Sequence, residues 1–313
     1  MVAIDVFDNI SQPLAWVIRE RFLSAQSASI AVAFVRQSGL HVLEKPLLRF
    51  LERGGVAECI FGFDYMFTEP RALAQMSEWA RSHSGFRFFA YSTSVADDGG
   101  SYHPKLYILR EPDLTHVIVG SSNLTRGGLR SNLEANVLIS GGRDDGPIVQ
   151  GETLYRYVRN RETVFAPNPQ YLEAYSELYE AYRTARRRVS NEAATVRLRA
   201  ELERCEASLP GTVPTQKDLV VQGIRQLTTG REEFVSLRNI TAWVEAEARR
   251  RGMHFKWETL PDSVRGRLNE HTVGKGGEDL FERMGGVSGR FGRYRLTERG
   301  ERLKMRRTLE GLT

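Results

Sequence analysis

The stretch 103–134 constrains the fold of this chain more than any other. It reads H-P-K-L-Y-I-L-R-E-P-D-L-T-H-V-I-V-G-S-S-N-L-T-R-G-G-L-R-S-N-L-E. Two apolar runs, 106–109 and 117–119, flank a polar break at 111–115. Short apolar runs around a turn predict a hairpin of two buried strands. Side chains alternate along a strand, so His103, Lys105 and Tyr107 share one face while Leu106 and Ile108 share the other. An imidazole and an amine are thereby held side by side. The second strand ends in Gly120-Ser121-Ser122-Asn123, a small polar turn whose N–H groups and amide can meet an anion.

These residue types suit phosphoryl transfer. A phosphodiester needs a nucleophile, a proton donor for the leaving oxygen, and fixed positive charge on its non-bridging oxygens. Histidine can do the first two, and Lys105 and Asn123 can supply the third. Glu134 is a carboxylate able to hold the imidazole in one tautomer.

His103-x-Lys105, then Gly120-Ser121-x-Asn123, then Glu134 eleven positions after the asparagine, resembles the phospholipase D superfamily. It is most similar to the branch with one such motif per chain, which includes metal-independent nucleases and a type IIS restriction endonuclease. The resemblance covers about the first 190 residues, with 30–35, Ser38-Gly39-Leu40 and 61–73 similar to the N-terminal half of these domains. It implies an α/β fold, a phospholipase D-like mixed sheet flanked by helices. It also implies catalysis with no metal and no other cofactor. His103 would be the nucleophile, oriented by Glu134, with Lys105 and Asn123 on the phosphate oxygens and Ser121 supporting the turn. The superfamily site uses two such motifs and this chain has one, so the resemblance implies a homodimer that shares one site through the catalytic domain. One departure stands out. The fuller motif carries an aspartate five places after the lysine, where this sequence has Arg110. The restriction-enzyme-like branch lacks that aspartate as well.

Length and charge bound the rest. The 313 residues suffice for two domains. Cys59 and Cys205 are the two cysteines, too far apart to suggest a disulfide framework or a zinc motif, which fits a reducing cytoplasm. The sequence shows no signal-peptide pattern and no run of about 20 apolar residues, so neither secretion nor a membrane anchor is expected. From Thr215 onward there are 20 Lys+Arg against 14 Asp+Glu, whereas the preceding residues have 24 against 25. The positive excess therefore sits in the last third, as expected if that part finds a polyanion and the front part cuts it.

In chain order, an apolar run at 28–35 predicts a central strand. Ser38 is placed to cap a helix that contains Pro46 and stops at Gly54-Gly55. Strands are expected at 56–63 and 86–91, with a helix from Pro70 to Ser82 between them. Asp97 and Asp98, in the loop 95–100, read as turn and solubility residues rather than metal ligands. A strand at 134–140 puts Glu134 at its entrance, and 149–165 has helical spacing. Tyr171, Leu172, Tyr175, Leu178, Tyr179 and Tyr182 form a stripe that reads as a packing face. Strands alternating with helices imply a mixed or largely parallel sheet covered on both faces. The domains expected are 1–190, catalytic, and 215–313, nucleic-acid-binding, joined by a connector helix and linker at 191–214.

The last of these reads as helices at 219–227, 237–251 and 260–271, the third capped by Thr259, followed by a hairpin within 286–295. This resembles a winged helix-turn-helix. Its recognition helix would carry Arg265 and Arg267 into the major groove, and its wing would set Arg290, Arg293 and Arg295 on the backbone. The expected function is a cytoplasmic phosphodiesterase, a DNA endonuclease of restriction or phage-defence type. Its partners would be DNA, a second copy of the chain, and a helicase or motor encoded elsewhere. Two alternatives compete: a phospholipid hydrolase or transferase, and a non-catalytic DNA-binding protein with a vestigial site.

Overall fold

A strand that is apolar on both sides must be covered on both sides, and the strands of the first half are of this kind. A computed structural model of the chain describes residues 2–92, 101–208, 214–228, 233–253, 255, 257–284 and 292–304. It divides into two compact units, Met1–Ser190 and Asn191–Thr313.

The first unit contains β1 (Ala3–Phe7), α1 (Leu14–Ser24), β2 (Ser27–Val32), α2 (Gln37–Glu52), β3 (Val56–Gly62), α3 (Pro70–Ser82) and β4 (Phe86–Tyr91). These are followed by β5 (Lys105–Arg110), β6 (Thr115–Gly120), β7 (Asn136–Gly141), α4 (Gly146–Arg159), β8 (Val164–Phe165) and α5 (Pro169–Asn191). The strands form one sheet in the order β1-β7-β6-β5-β2-β3-β4-β8. Ile30, Val32, Phe61, Tyr107, Leu109 and Ile118 pack on one face beneath α1, α2, α3 and Tyr175 of α5. Ala31, Ile60, Leu106, Ile108 and Val117 pack on the other against Ile148 and Tyr155 of α4. Each side chain of this size contributes about 1.5–3 kcal/mol on full burial.

The sheet is mixed, but it is not largely parallel. Only β2–β3 and β3–β4 pair in parallel, while β1–β7, β2–β5, β4–β8, β5–β6 and β6–β7 are antiparallel. The reason is local: β5 and β6 are joined by a short turn, which can connect only antiparallel neighbours. Helix α4 also stops short of the expected span, because Val164–Phe165 pairs with β4 as an edge strand. The sequence reading made no assignment for β1 or α1. They are tied in by Asn9, whose Nδ2 donates to the Gly128 carbonyl at 2.8 Å and whose Oδ1 accepts from Leu14 N at 2.9 Å.

The cap expected at Ser38 does not form. Helix α2 opens two residues earlier, with Arg36 in the cap position, and the N–H of Gln37 donates to Glu69 Oε2 at 2.8 Å. A carboxylate from the next segment thus satisfies the helix start. Gly39 brings α2 hard against the chain just beyond Asn123: a Cβ there would lie 2.1 Å from the Leu124 carbonyl oxygen. The tyrosine stripe on α5 is a packing face in part, with Tyr171, Tyr175 and Tyr179 on the core and Tyr182 exposed.

The second unit comprises α6 (Ala193–Ser208), α7 (Gln216–Leu227), β9 (Val235–Ser236), α8 (Leu237–Arg250), α9 (Leu260–Glu270), β10 (Phe281–Met284), β11 (Arg293–Leu296) and α10 (Glu298–Glu301). Its sheet has the order β10-β11-β9. Thr215 and Asp218 form a reciprocal cap at the start of α7. Leu219, Ile224, Ile240, Val244, Leu268, Phe281 and Tyr294 make its core. The first hairpin strand lies at Phe281–Met284, ahead of the expected 286, and Thr259 precedes α9 without a side-chain cap bond.

Candidate active site

The hairpin of β5 and β6 delivers the motif residues to one end of the sheet. Leu106 pairs with Val119 there, and Gly120 follows. The buried Tyr107 ring fixes the turn, donating its hydroxyl to the Ser122 carbonyl at 3.0 Å. Asn136 Nδ2 donates to Ser122 Oγ at 3.0 Å, and Ser121 N donates to the Ala135 carbonyl at 3.0 Å. Gly120 leaves no room for a side chain, since a Cβ would sit 2.3 Å from Asn136 Oδ1.

His103 stands exposed just before β5, and Lys105 is buried beneath it. The Lys105 ammonium lies 2.7 Å from Nδ1 and 3.1 Å from Nε2 of the His103 ring, and donates to the His103 carbonyl at 2.9 Å. Loss of hydration lowers the His103 pKa below its ordinary value, and the positive charge of Lys105 adds to this. The ring is therefore held toward its neutral, nucleophilic form. Burial likewise lowers the Lys105 pKa, with Glu134 acting in the opposite sense.

Within the single chain, the Glu134 carboxylate is bonded to the turn rather than to the His103 ring. Its carboxylate accepts from the Ser121 hydroxyl and, at 3.1 Å, from Asn132 Nδ2. Both donors are close neighbours in the fold, one on each carboxylate oxygen. Ser121 Oγ in turn accepts from Ala135 N at 3.0 Å. Glu134 thus braces the turn and acts on the site through charge. Asn123 has a buried Oδ1 with no hydrogen-bond partner among the described residues. The site therefore brings together His103 and Lys105 on one side and Ser121, Asn123 and Glu134 around the turn.

Arg110, where the fuller motif has aspartate, has its own structural task. Its guanidinium grips Glu152 of α4 at 2.5 and 2.7 Å and donates to Ser29 Oγ at 2.9 Å. His116 belongs to the turn end of the hairpin, bonded to Ser140 and Glu111, and among the described residues no second imidazole is bonded to His103. Asp97 and Asp98 lie outside the described residues. Among the described residues no cluster of three or more His, Cys, Asp and Glu could hold a metal, and no helix is long and apolar enough to cross a membrane.

Two features escaped the sequence reading. A cleft of about 370 Å³ beside His103 is lined by Phe34, Asp64, Tyr65, Phe67 and Tyr102. The run F-D-Y-M-F at 63–67 was its one sequence signal. A second cleft of about 480 Å³ between α1 and α2 is lined by Trp16, Arg19, Lys45, Arg49 and Arg130, with Glu44. In the second unit, Arg265 pairs with Asp262, Arg267 with Glu270 and Arg295 with Glu282, while Arg293 donates to the Phe234 carbonyl. Arg290 lies outside the described residues.

Residues 44–150 match the family model described as cardiolipin synthase, PLD-like domain. No curated protein matches the sequence. Among solved structures, NucT from Helicobacter pylori superposes with a TM-score of 0.42 at 14% identity, covering 53% of this chain and 100% of its own. Nuc from Salmonella typhimurium, a phospholipase D family member, gives 0.41 at 16%, covering 54% and 99%. Phosphatidylserine synthase from Haemophilus influenzae gives 0.42 at 16%, covering 59% and 45%. The family match spans the whole hairpin, from His103 through Glu134, so residues 44–150 of the first unit are similar to a PLD-like domain.

Proposed function

We propose that this chain is a metal-independent phosphodiesterase acting on nucleic acid, a DNA endonuclease of restriction or phage-defence type. The observation that carries the reading is an exposed imidazole, held toward its neutral form over a buried ammonium, at the rim of a polar turn. A ring nitrogen of His103 attacks phosphorus, and the P–O bond to the leaving oxygen breaks. That oxygen takes a proton from a second imidazole. Water then attacks phosphorus, the N–P bond breaks, and the second imidazole takes the water proton. Lys105 and Asn123 hold the non-bridging oxygens, and the unpaired Asn123 amide is free to turn its N–H toward them.

The second imidazole comes from a second copy of the chain. An apolar row exposed at its two ends supports this pairing. Val6, Val137 and Val119 lie side by side across β1, β7 and β6, ending one residue before Gly120. Ile4 and Leu133 extend the exposed apolar surface, and β1 is a sheet edge with a free ladder.

Nucleic acid is favoured by charge. Arg19, Lys45, Arg49 and Arg130 line one cleft beside an exposed Trp16, in a unit with no net positive charge to spare. We read the second unit as a winged-helix-like reader, from its order of α7, β9, α8, α9, β10 and β11. Arg265, Arg267, Arg293 and Arg295 serve it by trading exposed partners, whose pairing is worth only about 0–1 kcal/mol, for phosphate. A phospholipid substrate is the second reading, carried by the description of the matched family. The test is incubation with plasmid and oligonucleotides in EDTA, with trapping of phosphohistidine. Cleavage persists under chelation and disappears in His103→Ala while DNA binding remains. A requirement for added divalent metal, or activity in His103→Ala, overturns the mechanism. Head-group release from vesicles without nicking selects the lipid reading.

A further inference from the structure

The rings of Phe34, Tyr65 and Phe67 lie outside the hydrophobic core. Phe63, two residues earlier, turns inward and meets Tyr175 edge-on at 4.5 Å in the core. Tyr65 and Phe67 instead remain 58% and 38% exposed. Tyr65 and Met66 take left-handed backbone angles, φ 63° and 51°. A tyrosine rarely adopts that conformation, and such strain collects at functional sites. The ring centroids of Tyr65 and Phe67 are 6.4 Å apart, and those of Phe34 and Phe67 are 5.4 Å apart. Together they make an open aromatic wall.

The wall borders the same cleft as His103, and the cleft falls within the roughly 300–1,000 Å³ range of small-ligand sites. Its outer edge is basic. Arg186 of α5 lies over Phe67, 4.8 Å from the ring centre, and holds the turn by donating to the Tyr65 carbonyl at 2.7 Å. Arg36 stands 5.8 Å from the Phe34 ring. The inner lining includes the carboxylate of Asp64, which repels phosphate from the wall itself but suits the amino edge of a base.

We propose that Phe34, Tyr65 and Phe67 form a stacking platform for one unpaired nucleobase next to the phosphate held at His103, so that the strand cut is single or locally unwound. The proposal rests on the phosphodiesterase reading of the His103 site. A base inside a duplex is already stacked and cannot lie on the wall. Base–aromatic stacking contributes enough to change binding by about ten- to a hundredfold.

The test compares oligo(dT) with a chain of the same length built of abasic units, using the intact protein. Both present the same phosphodiesters. Wild type cleaves oligo(dT) about tenfold or more faster at limiting substrate. Tyr65→Ala and Phe67→Leu bring oligo(dT) down toward the abasic rate, so that the ratio of the two rates falls from about tenfold or more to near one. The second variant keeps apolar bulk and removes the flat face. Equal loss on both substrates, loss on neither, or better cleavage of duplex than of single strand overturns the platform. If wild type cleaves neither chain, the phosphodiesterase reading has failed, and binding then tests the platform separately. Fluorescence of a 2-aminopurine oligonucleotide is quenched on binding and the quenching is lost in Tyr65→Ala; unquenched binding overturns it. Tighter capture of anionic phospholipid vesicles than of oligonucleotide, through the same rings, assigns the wall to an acyl chain instead.

Discussion

The two basic groups at the site sit closer together than two charges would tolerate. His103 and Lys105 touch, and the imidazole yields its proton because the sheet end is poorly hydrated and the ammonium is beside it. The sign of the consequence is fixed. A histidine whose folded pKa is depressed binds a proton more readily when the chain is unfolded. Its contribution to stability is present above the ordinary value of 6.5 and is lost as the pH falls from there toward the depressed value. The acid limb of the activity profile follows the neutral nucleophile, so it lies at lower pH than an ordinary histidine permits, while the proton needed by the leaving oxygen sets a separate alkaline limb. Ring-nitrogen NMR, with His103→Gln to assign the signal, should place the His103 midpoint below 6.5. In Lys105→Met the midpoint should rise only part of the way, since burial is the larger cause. A wild-type midpoint at or above 6.5 would remove the neutral nucleophile from this account.

At the level of elements, the hairpin was legible because its signals are local. Apolar runs, a polar break and a glycine turn sit next to one another in sequence, and β5 and β6 form where they predict. The cap of α2 was not legible, because Glu69 reaches it from 32 positions away. Nor was the strand direction, since alternation of strands and helices does not reveal which neighbour a strand joins. Glu134 shows the same limit at the site: its spacing placed it by the turn, but only the fold shows that Ser121 and Asn132 occupy it. Arg110 is the long-range case with a testable energy. It ties β5 to Glu152 of α4, with the two side chains 26% and 23% exposed. Arg110→Met leaves a half-buried carboxylate unpaired and should cost about 1–2 kcal/mol after allowance for solvent screening. Adding Glu152→Leu should recover most of it. Urea midpoints measure both, and a double variant no more stable than the single one would assign the cost to lost packing rather than to the stranded charge.

For the whole molecule, the proposed mechanism needs two imidazoles, whereas the chain carries one motif. The apolar row of Val6, Val137 and Val119, exposed at its two ends, leads to the turn of the site, with Leu133, 80% exposed, beside Glu134. A face of this kind on a sheet edge is a ready docking surface for its own copy. Val6→Asp combined with Val119→Asp should yield a folded monomer by sedimentation that binds DNA and does not cut it. Mixing carries the argument further. If each site needs His103 from both copies, a dimer of one wild-type and one His103→Ala chain is dead. After subunit exchange in an equal mixture, random pairing leaves about one quarter of the dimers wild type on both sides. Activity should then fall to about a quarter of that of an all-wild-type sample of the same total concentration, rather than to about a half. A fall to a half would mean that each chain cuts with its own histidine. The second proton carrier would then have to come from within the chain, although among the described residues no other imidazole is bonded to His103.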